Sequence, residues 1–461
     1  MNKPSTGTTS ESRAQRPDSE AFSLFITQQW AEADRGTLPR SASAPYAAHR
    51  RARLSAAFPG KRLVIPAGDL KTRSNDTDYR FRPSSDFAYL TGLGSDFEPR
   101  AVLVMEPTAS GHDATLYVVP PAGREGDSFY SDPRMGEFWI GRRPGPAEFA
   151  AMTGLRTRPL AELPTGVKTT GQPTKALARA LSVARMVKDE YEVAQIRDAV
   201  AATIAGFERV VRELPRAVDH KRGERVVEAT FDGHAREEGN AVGYETIAAS
   251  GHHATTLHWI RNDGAVLDGD LLLLDAGVEV ESLYTADLTR TLPVSGTFSE
   301  VQRRVYEVVL EAADAAFEAA LPGATFRAVH EAAMGVIERR LSEWEIVPPS
   351  DDSQAHLYRR WMVHSTSHHL GLDVHDCAQA KRDLYLDGEL QPGMVFTIEP
   401  GLYFKEDDLA VPEELRGIGI RIEDDVLITT DGVENLSAAL PRAIAEVEAW
   451  MSALQKAPER P

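Results

Sequence analysis

Apolar residues recur at three- and four-residue intervals in four stretches of this chain: "YAAHRRARLSAAF", "KDEYEVAQIRDAVAATIAGFERVVREL", "SEVQRRVYEVVLEAADAAFEAAL" and "TFRAVHEAAMGVIERRLSEW". That spacing predicts amphipathic helices, and Ser299 is suited to cap the third. Other apolar runs are short and nearly continuous. Before residue 184 they are "RLVIPA", "FAYLTG", "AVLVME" and "TLYVVP", alternating with helical patches in an α/β manner. Beyond it, "DLLLLDAGVEV", "YTADLTRTLPV", "MVFTIEPGLYF" and "GIRIEDDVLIT" predict a mostly antiparallel sheet flanked by helices. The segment "TTGQPTK", Thr169 to Lys175, has the punctuation of a linker. The expected layout is therefore α+β: a polar tail over 1–22, a smaller α/β domain over 23–184 and a larger domain over 185–455.

Composition narrows the function classes. With 461 residues, 42% hydrophobic and 26% charged, the chain has the make-up of a soluble globular protein of two domains. No apolar run approaches the roughly 20 residues that span a bilayer. The first twenty residues lack the apolar core of a secretory signal and read as a disordered tail. The formal charge of −18 argues against a nucleic-acid surface. Cys377 is the sole cysteine, which excludes an internal disulfide or a multi-thiolate zinc site and suits a reducing cytoplasm.

Familiar catalytic motifs fail. His330-Glu331 begins like HExxH, but residue 334 is Met. "GLGSDF" at Gly92 lacks the third glycine of a dinucleotide loop, and neither GxSxG nor a Walker A loop occurs. What remains is a set of acids on apolar strands. Asp275 ends "LLLLD", and Asp287 follows twelve residues later in "YTADLTRT". A turn at "VES" would fold the two strands into a hairpin and bring both carboxylates to about the same height. Glu399 ends "VFTI", where Pro400 biases it to an extended conformation, and Glu423 lies in "GIRIEDD". The order of apolar run, acid, small or imino residue and glycine occurs twice, as "LLLLDAG" and "VFTIEPG", a sign of weak internal duplication.

Any one of these acids alone fits an exposed strand end. Four beside apolar runs do not, because burying unpaired carboxylates is very costly. Two divalent cations would cancel four carboxylates, and a neutral imidazole would complete the site. "VHSTSHHLGLDVHD", Val363 to Asp376, concentrates four of the thirteen histidines and can supply it. Oxygen-rich donors with one nitrogen suit Mn²⁺, and also Co²⁺, Fe²⁺ or Zn²⁺.

In order along the chain, "DAG", "ADLTRT", "SHHLGLDVHD", "MVFTIEPGLY" and "GIGIRIEDDVLIT" resemble the Xaa-Pro aminopeptidases (aminopeptidase P) of the pita-bread metallopeptidase superfamily, which also includes prolidases and methionine aminopeptidases. "RSNDTDYRFRPSSDFAYLTG", Arg73 to Gly92, is similar to their N-terminal domain. The resemblance implies a curved, mostly antiparallel sheet with pseudo-twofold symmetry in the larger domain. It implies that Asp275 holds one metal ion, that His368 and Glu399 hold the other, and that Asp287 and Glu423 bridge them, with manganese the usual metal. His258, His364 and His375 match active-site histidines that are not ligands.

The chemistry so implied is amide hydrolysis by a hydroxide bridging the two ions. Glu399 would be general base and proton carrier, His375 and His258 would donate to the oxyanion, and His364 would position the prolyl residue of a peptide substrate. Trp259 and Tyr403 either line a proline pocket or are ordinary core aromatics. No role falls to His369, where relatives commonly carry Trp, and His252 and His253 are expected in solvent. Two departures stand out: the Asp275 to Asp287 spacing is one residue longer than in relatives, and Ala88 stands where relatives often carry Trp.

Three functional readings stay open. An Xaa-Pro aminopeptidase is favoured by "SDFAYLTG" and "RGIGIRIEDD". In a prolidase, Arg416 or Arg421 would bind the free carboxylate of a dipeptide, unless Arg421 instead pairs with a ligand acid. A non-catalytic binding protein on the same fold is the third. The resemblance further implies a homo-oligomer, a dimer or tetramer, with no nucleic-acid or membrane partner.

Overall fold

Asp189 starts the long helix Glu190–Val218 by a reciprocal cap: its carboxylate accepts the Glu192 N–H at 3.1 Å, and Glu192 accepts the Asp189 N–H at 3.0 Å. Ile196, Ala199, Val200, Phe207, Val210, Val211 and Leu214 form its buried stripe. This stripe packs on the helix Gly223–Glu238, and a Cβ on Gly206 would stand 2.7 Å from the Phe231 ring, so glycine permits the close approach. A second helix pair repeats the arrangement. Ser299 and Gln302 box the start of Glu300–Ala319, as the sequence predicts, and Thr325 caps Phe326–Glu343. In the computed structural model residues 19–31, 38–95, 99–124, 126–350, 352 and 355–456 are described.

Each helix pair accompanies a three-stranded antiparallel sheet. One runs in the order Leu288–Pro293, Leu271–Ala276, Ile247–Ser250, and the other in the order Val395–Ile398, Asp424–Ile428, Val433–Asn435. All six residues of the 271–276 strand are buried, which is why its sequence is nearly continuous leucine rather than alternating. A bridge between Thr289 and Glu423 joins the two sheets. The 401–403 and 419–421 strands pair beside them. The duplicated motif thus ends one strand in each sheet, Leu271–Ala276 in the first and Val395–Ile398 in the second.

Arg290 holds the halves together. It is fully buried, and its guanidinium donates to the carbonyls of Thr289, Glu423, Leu440 and Pro441 and to Asp424 Oδ1 at 2.6 Å. Five acceptors saturate a five-donor fork, so the buried charge leaves no donor stranded.

The first region contains a four-stranded sheet in the order Leu63–Pro66, Val102–Thr108, Gly111–Val118, Arg156–Pro159, antiparallel but for the last pair. One expectation needs correction. "FAYLTG", grouped with the strand-like runs, lies in the helix Ser85–Thr91: Ser84 Oγ caps Phe87 N, Asp86 favours the first turn, and Gly92 ends it at φ 72°. So short an apolar run carries no usable period, and the capping residues decide. In the expected 1–22 tail, residues 1–18 lie outside the described residues, but Ser19 caps the helix Glu20–Ile26, so order begins inside that stretch. The helix Lys175–Met186 runs through the expected boundary at 184/185.

The first region docks on the loop that follows His368. Arg82 donates to Glu279 at 2.7 Å and to the Leu372 carbonyl at 2.6 Å, and Arg185, in the helix that crosses the expected boundary, pairs with Asp376 at 2.9 Å and Asp373 at 3.1 Å. Among the described residues no helix is long and apolar enough to cross a membrane. Replacing Arg290 by Met, which strips Asp424 of its close partner, is expected to lower stability by about 3–5 kcal/mol in equilibrium denaturant unfolding.

Candidate metal centre and active site

The 271–276 and 288–293 strands lie antiparallel with Asp275 opposite Thr289, so Asp287 enters at the end of the sheet that Asp275 leaves. A tight turn at Val280–Leu283 closes them, with the Leu283 N–H bonded to the Val280 carbonyl. The Tyr244 hydroxyl lies between the two acids, 2.7 Å from Asp275 Oδ1 and 2.5 Å from Asp287 Oδ1. From the other half, Glu423 N–H bonds to the Thr289 carbonyl at 3.0 Å, and Thr289 Oγ1 donates to Glu423 Oε2 at 2.5 Å.

Glu399 follows the 395–398 strand, and its N–H donates to the Thr366 carbonyl at 2.9 Å. His368 is fixed against the same strand: its N–H donates to Thr397 Oγ1, and its carbonyl accepts from Thr397 N. Its Nδ1–H meets the His369 carbonyl at 3.3 Å, which turns Nε2 toward the acids. That nitrogen stands 3.2 Å from Asp287 Oδ2 and 3.5 Å from Glu399 Oε1. Asp287, His368 and Glu423 each offer a ligand atom within 4.8 Å of one another.

The donor set fits divalent cations on electrostatic grounds. One hydroxyl hydrogen on Tyr244 cannot satisfy two carboxylate oxygens at once, so Asp275 and Asp287 hold surplus negative charge between them. Burial pushes the Glu423 carboxyl well above its ordinary value, with Asp287, Glu399 and Asp275 adding repulsion. Burial also raises Asp275 against the pull of Arg421, and lifts Glu399 to about 7 against the pull of His368. The His368 imidazole, which burial alone would depress, is held at about 9 by Asp287 and Glu399. Without cations the cluster retains protons; cations would take their place.

Histidines rim this floor. His375 is exposed, with its ring edge-on to His368 at 4.5 Å, and exposed His258 lies near enough to His364 and His375 to depress both. Burial, then Arg421, brings the His364 imidazole down to about 3. Its Nδ1–H donates to the Ser365 carbonyl at 2.7 Å, so Nε2 accepts from the Tyr403 hydroxyl at 2.8 Å.

Arg421, entertained as a holder of substrate, lies buried in an ion pair with Asp275, with Nη1 on Tyr403 at 3.0 Å and Nε on Thr289 at 3.2 Å. Those bonds use the guanidinium on Asp275 and its neighbours. Arg416 donates to the Val411 carbonyl, outside the acidic cluster. His253 is not a solvent histidine, since it is bonded to buried Glu224 and stacked on Trp259, whereas His252 is exposed. His369 is fully buried, stacked on Phe326 at 4.9 Å, with Tyr385 and Phe396 around it. His330, whose HExxH match already fails in the sequence, accepts the Thr366 N–H at 3.3 Å.

Tyr244, Thr289 and Asp425 escaped the sequence reading. Asp425 Oδ2 accepts the Asp287 N–H at 3.0 Å. In "EDD" strand alternation separates three adjacent acids: Glu423 faces the cluster, Asp424 faces Arg290 and Asp425 faces the Asp287 backbone. Tyr244 has no motif to mark it.

Glu399 and His368 both carry values raised above those of an unfolded chain, so their contribution to stability is lost as pH climbs through about 7 and about 9. Metal-free protein is therefore expected to melt at progressively lower temperature from pH 6 to pH 9, and saturating Mn²⁺ should flatten that slope. A pH-stat titration at pH 7 should record proton release on metal addition; a flat apo profile and no release would contradict the charge argument.

Comparison with known proteins accords with this geometry. Residues 194–430 match the model of metallopeptidase family M24, and residues 47–177 match the aminopeptidase P N-terminal domain. Xaa-Pro aminopeptidase 1 of Streptomyces coelicolor is 50% identical over 451 residues, covering 92% of this chain and 91% of that protein. The Escherichia coli Xaa-Pro aminopeptidase is 32% identical, covering 86% and 95%. Among solved structures, Pseudomonas aeruginosa aminopeptidase PepP superposes with a TM-score of 0.76 at 30% identity, covering 91% of this chain and all of that one. Zn-substituted E. coli aminopeptidase P in complex with product gives 0.76 at 30%, covering 90% and 100%. The architecture is the α+β pita-bread fold with a smaller domain before it, and the chain belongs to metallopeptidase family M24.

Proposed function

We propose that this chain is a dimetal Xaa-Pro aminopeptidase, releasing the first residue of peptides whose second residue is proline. The observation that carries the reading is the meeting of Asp275, Asp287, His368, Glu399 and Glu423 from two sheets, under a rim of three histidines. Asp275 would hold one ion, His368 and Glu399 the other, with Asp287 and Glu423 shared; manganese suits the oxygen-rich set. When bound, such ions bring the pKa of water toward neutrality and polarise the scissile carbonyl. The printed names of the relatives support the substrate class.

The remaining chemistry falls to side chains. Glu399, half-buried beside His364 and His368, is placed to take the proton of the attacking water and pass it to the proline nitrogen. His375 stands exposed with its ring edge-on to His368, so a ring N–H is free to donate to the developing oxyanion with His258. His364 is locked in one tautomer between Ser365 and Tyr403, and offers its ring rather than a proton to the prolyl residue. A tertiary amide has no N–H to read, so selection of proline rests on shape. A cytoplasmic homo-oligomer belongs to the same reading, and the one cysteine, buried and unpaired, is compatible with a reducing compartment. The N-terminal domain over 23–184 and the catalytic domain over 185–455 divide the work, the first buttressing the loop that carries His375 through Arg82 and Ser85.

Chelated protein reloaded with Mn²⁺ should cleave Ala-Pro-Ala and leave Ala-Pro largely intact, as followed by chromatography of released alanine. Cleavage of the dipeptide alone would favour a prolidase, and no hydrolysis with no bound metal would favour a binding protein. Glu399→Ala should lower kcat by at least about 10²-fold, within the range of a lost general base. His375→Ala should lower kcat more than it raises KM, by roughly 10²-fold for a lost oxyanion donor.

A further inference from the structure

Glu224, the second residue of the helix Gly223–Glu238, has a carboxylate with no exposure to solvent and no Lys or Arg salt-bridge partner among the described residues. Four donors reach it instead, all from one loop. Oε1 accepts the Ser250 N–H at 2.9 Å and His253 Nδ1–H at 2.7 Å; Oε2 accepts Trp259 Nε1–H at 2.9 Å and the Gly264 N–H at 2.7 Å. Four bonds fill the acceptor capacity of a carboxylate, which is how a charge so deeply buried remains tolerable. The Glu224 N–H returns a bond to the Gly264 carbonyl at 3.2 Å, and a Cβ on Gly264 would stand 2.8 Å from Oε2.

Residues 250–264 are thus gathered onto one side chain. His258, exposed at the mouth of the site, lies between Ser250 and Gly264, next to Trp259 and five residues after His253. The His253 and Trp259 rings stack at 3.9 Å and 21°, so Glu224 orients both faces of the stack through their ring N–H groups. At the neck of the loop, Asn262 donates to the Thr246 carbonyl and accepts from Ala248 N. Among the described residues no hydrogen bond fixes the His258 ring itself, so the loop's anchorage sets its place.

We propose that Glu224 is a positioning residue for the reaction: its carboxylate pins the 250–264 loop and thereby sets His258 against the reacting amide. The inference rests on the aminopeptidase reading, in which His258 steadies the oxyanion. Glu224→Gln is the sharpest probe, because the amide keeps one acceptor oxygen and turns an NH₂ toward two N–H donors.

The test is a double-mutant cycle on Mn²⁺-loaded protein with Ala-Pro-Ala as substrate. Glu224→Gln should reduce kcat/KM by at least about tenfold with most of the loss in kcat, yet cost less than about twofold when added to His258→Ala, since partners acting as one unit are not additive. An undiminished cost in the His258→Ala background would mean that Glu224 serves general stability, and would overturn the proposal. Hydrogen exchange gives a readout apart from turnover: 250–264 should exchange faster in the variant while 226–238 keeps its protection, and unchanged exchange in the loop would also overturn it. If Glu224→Gln does not fold, His253→Phe preserves the stack, removes one donor and should show the same pattern at smaller amplitude. Failure of wild-type protein to cleave the peptide removes the aminopeptidase reading and this inference with it; cleavage with Glu224→Gln unaffected removes this inference alone.

Discussion

Mutual repulsion among buried carboxylates is the constraint around which this molecule is organised. Asp275, Asp287 and Glu423 lie buried, and Glu399 half-buried, where each raises the cost of ionising its neighbours. A fold that collects them must supply positive charge or hold protons. Arg421 neutralises part of Asp275, and the His368 imidazole stands against Asp287 and Glu399. The balance is left for cations, which makes the same repulsion both a threat to stability and the source of metal affinity.

The surrounding structure can be understood as the scaffold that this repulsion requires. Two sheets contribute acids from opposite sides, so the seam between them would open if only the acids met there. Arg290 closes it: the side chain reaches from one half to carbonyls and Asp424 of the other, just behind the cluster. Thr289 contributes to both jobs, bonding Glu423 through its hydroxyl and bridging the sheets through its backbone. Side chains around the acids are therefore held from several directions, so their geometry is set by the protein itself.

At the mouth of the site the control is looser and comes from loops. The His375 loop is buttressed by Arg82 and Arg185, whose partners include Asp373 and Asp376 on either side of that histidine. The His258 loop is gathered on Glu224. One anchor is a set of ion pairs with the N-terminal region and the helix after it, the other a single carboxylate bonded by N–H groups. Among the described residues, neither anchor takes up the ring nitrogens of His375 or His258.

By itself the sequence determined the main helices, the buried strands and the identity of the acids, because apolar period and capping chemistry act over a few residues. Ser299, Thr325 and the leucine run before Asp275 illustrate this. Chain-local information misled at "FAYLTG", where one apolar run suits either element until Ser84 and Gly92 set its ends. Tertiary structure alone decided which partners each polar group obtained. Tyr244 between two acids, Arg421 turned to Asp275, His253 drawn into Glu224, and the three separate fates of Glu423, Asp424 and Asp425 depend on residues up to 146 positions apart. Hydrogen-bond partners at such separations leave no period or spacing in the chain, since what selects them is the need to satisfy buried charge once the halves have packed.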